Sequence, residues 1–259
     1  MDNIILSAAA RLLFLLTLTV SASALNAAES NSNYFDFIEK NFQIKKPQGD
    51  GPFPAIIFVS GCSGYKWTDI AWKHYNTIAD KFVAKGYAVM MYDFYASRPN
   101  KSSCMDVDAR EVVQEVMLTA KYLKTLAYIK QNEINLHGWS FGGIITLQTV
   151  NQDVSKDIFK KAIAYYPMCS KKQKWQSHVP ILIQSGSLDD VTPFMNCRTL
   201  IDNSPDASKV KFRVIPGGRH AFDFVGYPEK KPYVIGTIGY NEKAAKKAWS
   251  NVERFMFRR

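Results

Sequence analysis

Short apolar runs alternate with helical stripes along most of the chain. Residues 55–59 and 87–92 are apolar runs rich in β-formers, and the stretch between them, from about residue 67 to 85, predicts a helix that ends at a glycine. Residues 106–126 carry apolar side chains at helical spacing, and residues 134–139 then predict another buried strand. Alternation of this kind is typical of βαβ units.

The second half of the chain continues the alternation. A helix is expected directly after residue 139, and residues 241–257 place apolar side chains on one face of a final helix. Nearer the N-terminus, residues 34–46 alternate enough to predict an edge strand or a hairpin. Further strands are predicted at residues 161–166, 181–184 and 210–214. Together these elements predict an α/β fold, with a mainly parallel sheet covered by helices on both faces.

The first 28 residues have a character of their own. Arg11 precedes an apolar run at residues 12–20, and small residues with an A-x-A pattern ending at Ala24 follow it. These features are typical of a secretory signal peptide, cleaved after Ala24 or Ala28 to leave a single domain of residues 29–259. An uncleaved anchor is the alternative, but the run is short for a bilayer. We therefore expect a periplasmic or secreted protein without stable membrane insertion.

The overall composition fits one globular domain. Of the 259 residues, 47% are hydrophobic and 22% are charged, which excludes a disordered chain. The net charge of +10 is compatible with an acidic partner, but no nucleic-acid-binding motif accompanies it, so no nucleic-acid partner is expected. The composition leaves the oligomeric state open.

A G-x-S-x-G pattern follows the strand that ends near Trp139. Its serine is Ser140, and its glycines are Gly138 and Gly142. Between a strand and a helix, such a turn projects the serine hydroxyl from the sheet edge, while the glycines let strand and helix approach closely. The amide of Phe141, at the start of the helix, is placed to donate to an oxyanion. Alone, the pattern describes a glycine-rich turn; the strand before it and the helix after it favour a catalytic nucleophile.

A serine nucleophile needs a base, and the chain has four histidines. His74 falls inside a predicted helix and His137 inside a predicted strand, where packing or a solvated position explains them. His178 precedes a strand instead of following one. His220 follows the last predicted strand in a glycine-rich loop, at the edge where such sheets bind ligands. His220 is therefore the candidate base.

The acid that orients the base is expected after the strand at residues 181–184. Asp189 and Asp190 both lie there. Helix capping is the alternative role for either residue, so one of the pair is expected to cap while the other orients His220. The resulting chain order of serine, aspartate and histidine is that of an α/β-hydrolase.

The sequence resembles the dienelactone hydrolase family of α/β-hydrolases over about residues 35–257. The resemblance implies the α/β-hydrolase fold, aligns the acid with Asp189 and places a second oxyanion amide at Cys62. The chain differs in having Ser140 where the founding lactone-cleaving enzymes have cysteine, and Ser60 where the family often has histidine. The matching segments are residues 59–64, 92–98, 138–143, 188–193, 218–222 and 239–241.

These features predict a serine hydrolase that cleaves small soluble carboxylic esters or lactones through an acyl-enzyme. No metal or cofactor is expected, because no cluster of ligand residues has metal-site spacing. The connection from Tyr166 to Ile181 is too short for a substantial lid, which favours small soluble substrates. The alternatives are a peptidase or thioesterase with the same residues, and a non-catalytic binding protein on a hydrolase fold.

Basic residues follow several of the predicted strands, and a positive field there would attract an anionic substrate. A solvated surface explains any one of them equally well. Arg98 and Trp139 are the candidate substrate-binding residues. The basic residues are Lys66, Arg98, Lys101, Lys171, Lys172, Lys174 and Arg219.

Four cysteines in an exported protein predict two disulfides. All four lie near the edge at which the predicted strands end. Cysteines that leave neighbouring strands come close enough to bridge, because adjacent strands lie about 4.8 Å apart. Of the possible connectivities, this favours Cys62–Cys104 and Cys169–Cys197. Four free thiols are the alternative if the chain is not exported.

Overall fold

One seven-stranded sheet organises the part of the chain that the computed structural model describes, residues 22–65, 68–101, 103–171 and 174–258. Its strands are β1 Gln43–Lys45, β2 Phe53–Val59, β3 Ala88–Tyr92, β4 Ile129–Trp139, β5 Lys161–Tyr165, β6 Ile181–Gly186 and β7 Val210–Ile215. Their order is β1-β3-β2-β4-β5-β6-β7, with β1 antiparallel to β3 and the other pairs parallel. This is the predicted α/β architecture.

The central strands are buried on both faces. Every residue of β3 and β6 is buried, and β3 and the first half of β6 are accordingly apolar in sequence. The last strand, β7, lies at an edge, and its first five residues alternate between half-buried and exposed. The alternating pattern of residues 210–214 therefore reflects an edge position.

Helices cover both faces of the sheet in the described residues. They are α1 Ala22–Asn41, α2 Asp69–Val83, α3 Ala109–Thr125, α4 Phe141–Val150, α5 Phe194–Asp202 and α6 Glu242–Met256. On one face, α1, α3 and α4 enclose a core that includes Ile38, Val116 and Ile145. On the other face, α2 and α6 contribute Tyr75 and Val252 to a second core. The mainly parallel sheet thus has an apolar layer on each side.

The N-terminal segment is helical, so the prediction of an edge strand or hairpin at residues 34–46 is largely wrong. The helix α1 continues to Asn41, and only the three residues of β1 form a strand. Tyr34 packs against the same core as Ile38, which is 1% exposed. Residues four positions apart share one face of a helix. The apolar positions here fit that spacing as well as they fit a strand, and tertiary packing decides for the helix.

The apolar run at residues 12–20 lies outside the described residues, so the signal peptide and its cleavage stay a prediction. The helix α1 extends across both predicted cleavage positions, Ala24 and Ala28. In the described part of the chain, no helix has the length and apolar character needed to cross a bilayer.

A small hairpin that no sequence signal predicts lies between β7 and α6. Its strands, β8 Lys231–Tyr233 and β9 Gly236–Ile238, pair antiparallel. Gly236 has a φ of 134°, in a region that L side chains rarely adopt. Ile238 forms a β-bridge with His220, and the Gly239 amide donates to the His220 carbonyl at 2.9 Å. The hairpin is therefore attached directly beside the candidate base.

Two disulfides lie near the carboxyl ends of the parallel strands. Cys62 is joined to Cys104 and Cys169 to Cys197, with Cα atoms 5.0 Å and 4.9 Å apart. This is the predicted pairing. The connection from β5 to β6 contains no helix or strand among its described residues, so no lid of regular structure stands over the edge there.

Candidate active site

Ser140 stands on a sharp turn between β4 and α4. Its φ of 52° and ψ of −111° lie outside the regions that side chains commonly adopt. The two glycines make the turn possible: a Cβ on Gly138 would lie 1.9 Å from the Gly142 carbonyl oxygen, and a Cβ on Gly142 would lie 2.1 Å from that of Val59. The Ser140 amide donates to the Tyr165 carbonyl of β5 at 2.9 Å, which anchors this strained residue to the sheet.

His220 lies between Ser140 and Asp189. Its Nε2 is 2.9 Å from Ser140 Oγ, and its Nδ1 is 3.0 Å from Asp189 Oδ2. His220 is 4% exposed and Asp189 5% exposed. The three residues follow β4, β6 and β7, so the carboxyl ends of the parallel strands bring them together. The arrangement is suited to passing a proton from the serine hydroxyl to an oriented imidazole.

The Asp189 carboxylate is held by its own loop. Oδ1 accepts hydrogen bonds from the amides of Val191 and Thr192, at 3.0 Å and 2.8 Å. The Thr192 hydroxyl lies 3.0 Å from Asp189 Oδ2 and 3.1 Å from His220 Nδ1. One oxygen is thus fixed by backbone donors, and the other faces the imidazole beside a hydroxyl that the sequence did not single out.

Asp190 binds different partners from Asp189. Its carboxylate accepts from the Thr237 amide at 2.8 Å, and the Thr237 hydroxyl donates to the same carboxylate. The backbone hydrogen bond from Thr237 lowers the pKa of Asp190. Asp190 therefore ties the loop after β6 to the hairpin and does not cap a helix. Of the two carboxylates, it is Asp189 that contacts His220, as the resemblance implied.

The backbone amides of Cys62 and Phe141 are the candidate donors of an oxyanion hole: Cys62 lines the same cleft as Ser140, and Phe141 directly follows it. Among the described residues, neither the Cys62 amide nor the Phe141 amide donates to an acceptor. The loop before Cys62 is held in place, because the Gly61 amide donates to the Tyr75 hydroxyl at 2.8 Å. The Tyr95 hydroxyl in turn donates to the Cys62 carbonyl at 2.8 Å. These contacts and the Cys62–Cys104 disulfide leave the Cys62 amide available to a ligand.

Ser140 opens into a narrow cleft with a volume of about 60 Å³. That is well below the roughly 300–1,000 Å³ of a pocket for drug-sized ligands. Aromatic side chains form much of its wall, and the hairpin closes one side. The residues that line it are Gly61, Cys62, Ser63, Tyr75, Trp139, Ser140, Tyr166, His220, Ala221, Phe224, Tyr227, Tyr233 and Ile238.

Arg98 does not line this cleft, and its predicted role in substrate binding is not supported. Its guanidinium is 2.9 Å from Glu115 Oε1 and 3.1 Å from Glu111 Oε2, and it also donates to the Phe94 carbonyl at 3.0 Å. The Arg98 side chain is 11% exposed. Arg98 therefore joins the loop after β3 to α3 and has few donors left for a substrate.

The cleft wall carries no positive charge among its described residues. None of the described lysines and arginines of the predicted basic rim lines it. Lys66 and Lys172 lie outside the described residues. Arg219, which precedes His220, donates to the Thr237 hydroxyl at 3.1 Å and so supports the hairpin. The described wall next to Ser140 thus favours neutral groups.

Trp139 lines the cleft but offers it no polar contact. Trp139 is 1% exposed, and its indole nitrogen donates to Asp223 Oδ2 at 3.0 Å. His74 and His137 are buried, and His178, shortly before β6, lies 3.4 Å from Asp153; none of the three histidines is a hydrogen-bond partner of Ser140 among the described residues. Across the described ranges, no three His, Cys, Asp or Glu side chains are grouped as a metal site requires.

Residues 42–258 match the family model described as the dienelactone hydrolase family. The chain belongs to this family. It is also 23% identical over 199 residues to a quorum-quenching protein, AidA, of Acinetobacter baumannii. That match covers 70% of this chain and 63% of the AidA chain, so less than two thirds of AidA is spanned.

Solved structures share the fold at low sequence identity. A Klebsiella pneumoniae protein assigned to the dienelactone hydrolases superposes with a TM-score of 0.67 and 19% identity, covering 83% of this chain and 91% of the other. Esterase 2 of Thermogutta terrifontis, phosphorylated by paraoxon, gives a TM-score of 0.59 at 16% identity, covering 83% and 87%. A dienelactone hydrolase-like promiscuous phosphotriesterase from metagenomic libraries gives 0.63 at 13%, covering 82% and 89%.

Proposed function

We propose that this protein is an exported serine hydrolase that cleaves small carboxylic esters or lactones through an acyl-enzyme. One observation carries the proposal: Ser140 Oγ, the imidazole of His220 and the carboxylate of Asp189 are joined at 2.9 Å and 3.0 Å in a single cleft. Membership of the dienelactone hydrolase family supports hydrolysis as the reaction class.

In the proposed reaction, His220 Nε2 takes the Ser140 proton as Oγ attacks the ester carbonyl carbon. Asp189 holds the Nδ1 proton and stabilises the imidazolium. The carbonyl oxygen becomes an oxyanion, which the amides of Cys62 and Phe141 bind. His220 then protonates the leaving alcohol, and the acyl group stays on Ser140. A water molecule, deprotonated by His220, attacks the acyl-enzyme; the bond from the acyl carbon to Oγ breaks, His220 returns the proton to Oγ, and the acid leaves.

The shape of the cleft supports a small, uncharged substrate. Its volume is about 60 Å³, and its described wall is apolar and aromatic apart from backbone amides, a few hydroxyls and His220. The described residues between β5 and β6 form no helix or strand, so they place no lid of regular structure between the site and water. Short acyl groups fit such a space, and an anionic group finds no cation on the described wall.

Export is supported by the cysteines and by the first residues of the chain. Both pairs of cysteines are joined, and disulfides persist in oxidising compartments such as the periplasm. The features of residues 1–28 are those of a signal peptide. We infer a mature enzyme of residues 29–259 that acts in the periplasm or outside the cell.

Labelling with a fluorophosphonate probe tests the nucleophile. Wild-type protein should take up one probe per chain and hydrolyse p-nitrophenyl acetate. Ser140→Ala and His220→Ala should each lower kcat by about 10⁴-fold or more while far-UV circular dichroism stays unchanged. Ser63→Ala, which alters an accessible serine of the same cleft, is the matched control and should still be labelled. Turnover by folded Ser140→Ala would exclude this nucleophile.

A panel of neutral substrates then separates the alternatives. A thioester and a peptide anilide with the same short acyl group distinguish a thioesterase and a peptidase from an esterase. Probe uptake without turnover of any substrate would instead point to a binding protein on a hydrolase fold.

A further inference from the structure

A second carboxylate is buried beneath the cleft and has no part in the proposed proton transfer. Asp223 is 7% exposed and lies three residues after His220. It accepts a hydrogen bond from the Tyr166 hydroxyl at 2.7 Å and one from the Trp139 indole nitrogen at 3.0 Å. His74 Nε2 lies 3.3 Å from its Oδ2. Removing a carboxylate from water costs free energy even when hydrogen-bond partners surround it, so a role beyond packing is expected for Asp223.

Both hydrogen-bond donors of Asp223 are residues that flank the catalytic pair. Trp139 directly precedes Ser140, and the Tyr166 ring centroid lies 4.6 Å from that of His220. Both side chains line the cleft. Asp223 therefore holds one residue next to the nucleophile and one residue against the base.

Tyr166 also reaches His220 through its main chain. Its carbonyl oxygen accepts from the Thr192 hydroxyl at 3.1 Å, and that hydroxyl lies 3.1 Å from His220 Nδ1. Tyr166 has a φ of 36°, a left-handed conformation that is unfavourable for a residue with a large side chain. A strained residue keeps its conformation only where its surroundings hold it. The hydrogen bond from its hydroxyl to Asp223 is one such restraint.

The partners of Asp223 keep it ionised. Burial raises the pKa of Asp223, but the nearby His74 and the hydrogen bonds from Tyr166 and Trp139 outweigh burial, so that its pKa lies below the ordinary value. An ionised carboxylate is the stronger acceptor for both donors. An amide at this position would accept from one donor only and would lose the attraction to His74.

We propose that Asp223 is a positioning residue: through Tyr166 and Trp139 it keeps the imidazole of His220 and the elbow of Ser140 in the geometry needed for proton transfer. This inference rests on the proposed function. It assigns to Asp223 an effect on the rate of the chemical step more than on substrate binding, because loss of its hydrogen bonds removes no side chain from the cleft wall but frees Tyr166 and Trp139 to shift beside His220 and Ser140.

Steady-state kinetics of Asp223→Asn and Tyr166→Phe test the proposal. Asp223→Asn should lower kcat on p-nitrophenyl acetate about 10- to 100-fold, with KM changed less than about threefold, because misplaced catalytic groups slow the reaction more than they weaken binding. Tyr166→Phe removes only the hydroxyl and should lower kcat about fivefold or more. The double variant should be no slower than Asp223→Asn within about twofold, since both changes break one interaction.

Asn251→Ala is the matched control for a loss of stability. Asn251 is a buried polar residue of α6 that bonds to Gln184 and Arg254 at 2.6 Å each, away from the cleft. Its replacement should lower the melting temperature and leave kcat per labelled serine unchanged. If Asp223→Asn does not fold, Tyr166→Phe decides by itself.

Three results would overturn the inference. These are a wild-type kcat in folded Asp223→Asn or in Tyr166→Phe, losses that multiply in the double variant, and an equal loss of kcat in Asn251→Ala. Such results leave wild-type turnover intact, so they differ from a failure of the proposed function, in which wild-type protein neither hydrolyses esters nor takes up the probe.

Discussion

The two walls of the cleft are built differently. The inner wall belongs to the sheet, where Gly138 and Gly142 leave no room for a side chain and Ser140 is anchored to β5. The outer wall belongs to the β8–β9 hairpin, which exposes its tip to solvent, with Val234 89% exposed. We infer that the packed wall sets the chemical geometry, while the exposed wall sets how a substrate fits. Changes on the inner side should therefore alter kcat, and changes on the outer side should alter KM.

The largest predicted difference in kinetics between the two walls comes from substitutions of the two adjacent aspartates. Asp189 contacts the imidazole of His220, which acts on Ser140 of the inner wall, and Asp190 holds the hairpin of the outer wall. Asp189→Asn should lower kcat by about 10³- to 10⁴-fold, because the amide no longer holds the imidazole in the productive tautomer. Asp190→Asn should mainly raise KM, with a much smaller effect on kcat. Steady-state kinetics on a neutral acetate ester measure both.

Thr237→Val provides the control for this pair. It removes the hydroxyl that donates to Asp190 and leaves Asp189 untouched, so it should reproduce Asp190→Asn in direction. If Asp190→Asn proved the slower enzyme, the assignment of the orienting carboxylate would be wrong, and so would the division between the two walls.

A smaller effect is expected from the tip of the hairpin. Tyr233 lines the cleft, whereas its neighbour Val234 does not. Tyr233→Ala should cost about 1 kcal/mol of apolar contact with the substrate, which is about a fivefold rise in KM. Val234→Ala, from the same exposed hairpin, should leave kcat and KM unchanged. Equal effects of the two variants would show that the hairpin acts as a whole and not through Tyr233.

The residues that could be predicted from the sequence are those with a local signal. Ser140 stands in a five-residue pattern that its strained turn requires, and β3 is an unbroken apolar run because both of its faces are covered. His220 follows an alternating edge strand in a glycine-rich loop. In each case the pattern and the structural demand lie within a few neighbouring residues.

The residues that could not be predicted depend on contacts distant in sequence. Arg98 lies after a strand like a substrate-binding residue, but Glu111 and Glu115 of α3 neutralise it. Asp223 follows His220 in an apolar segment, and its partners Trp139 and Tyr166 belong to other strand ends. Only the folded sheet brings such residues together, so no local sequence pattern predicts their contacts.

His137 shows how far the inner wall is removed from water. It is 1% exposed, its ring stacks on Trp139 with centroids 3.7 Å apart, and neither ring nitrogen has a hydrogen-bond partner among the described residues. Burial lowers the pKa of His137 well below its ordinary value of 6.5, against the attraction of Asp223. In the unfolded chain His137 takes up a proton near its ordinary pKa, and in the folded chain it stays neutral.

The last expected effect is on stability instead of turnover, in its dependence on pH. Below pH 6.5 the unfolded chain binds a proton at His137 that the native protein does not. The free energy of unfolding should therefore decrease as the pH is lowered, by up to about 1.4 kcal/mol per pH unit. Asp223, whose pKa is lowered from 3.8, adds its own loss only below that value. Urea unfolding of wild type and His137→Phe from pH 7.5 to pH 5 measures the contribution, and the variant should show a shallower slope. Parallel slopes for wild type and His137→Phe would mean that water or a proton reaches this histidine in the native protein, and the inner wall would then be less sealed than its packing indicates.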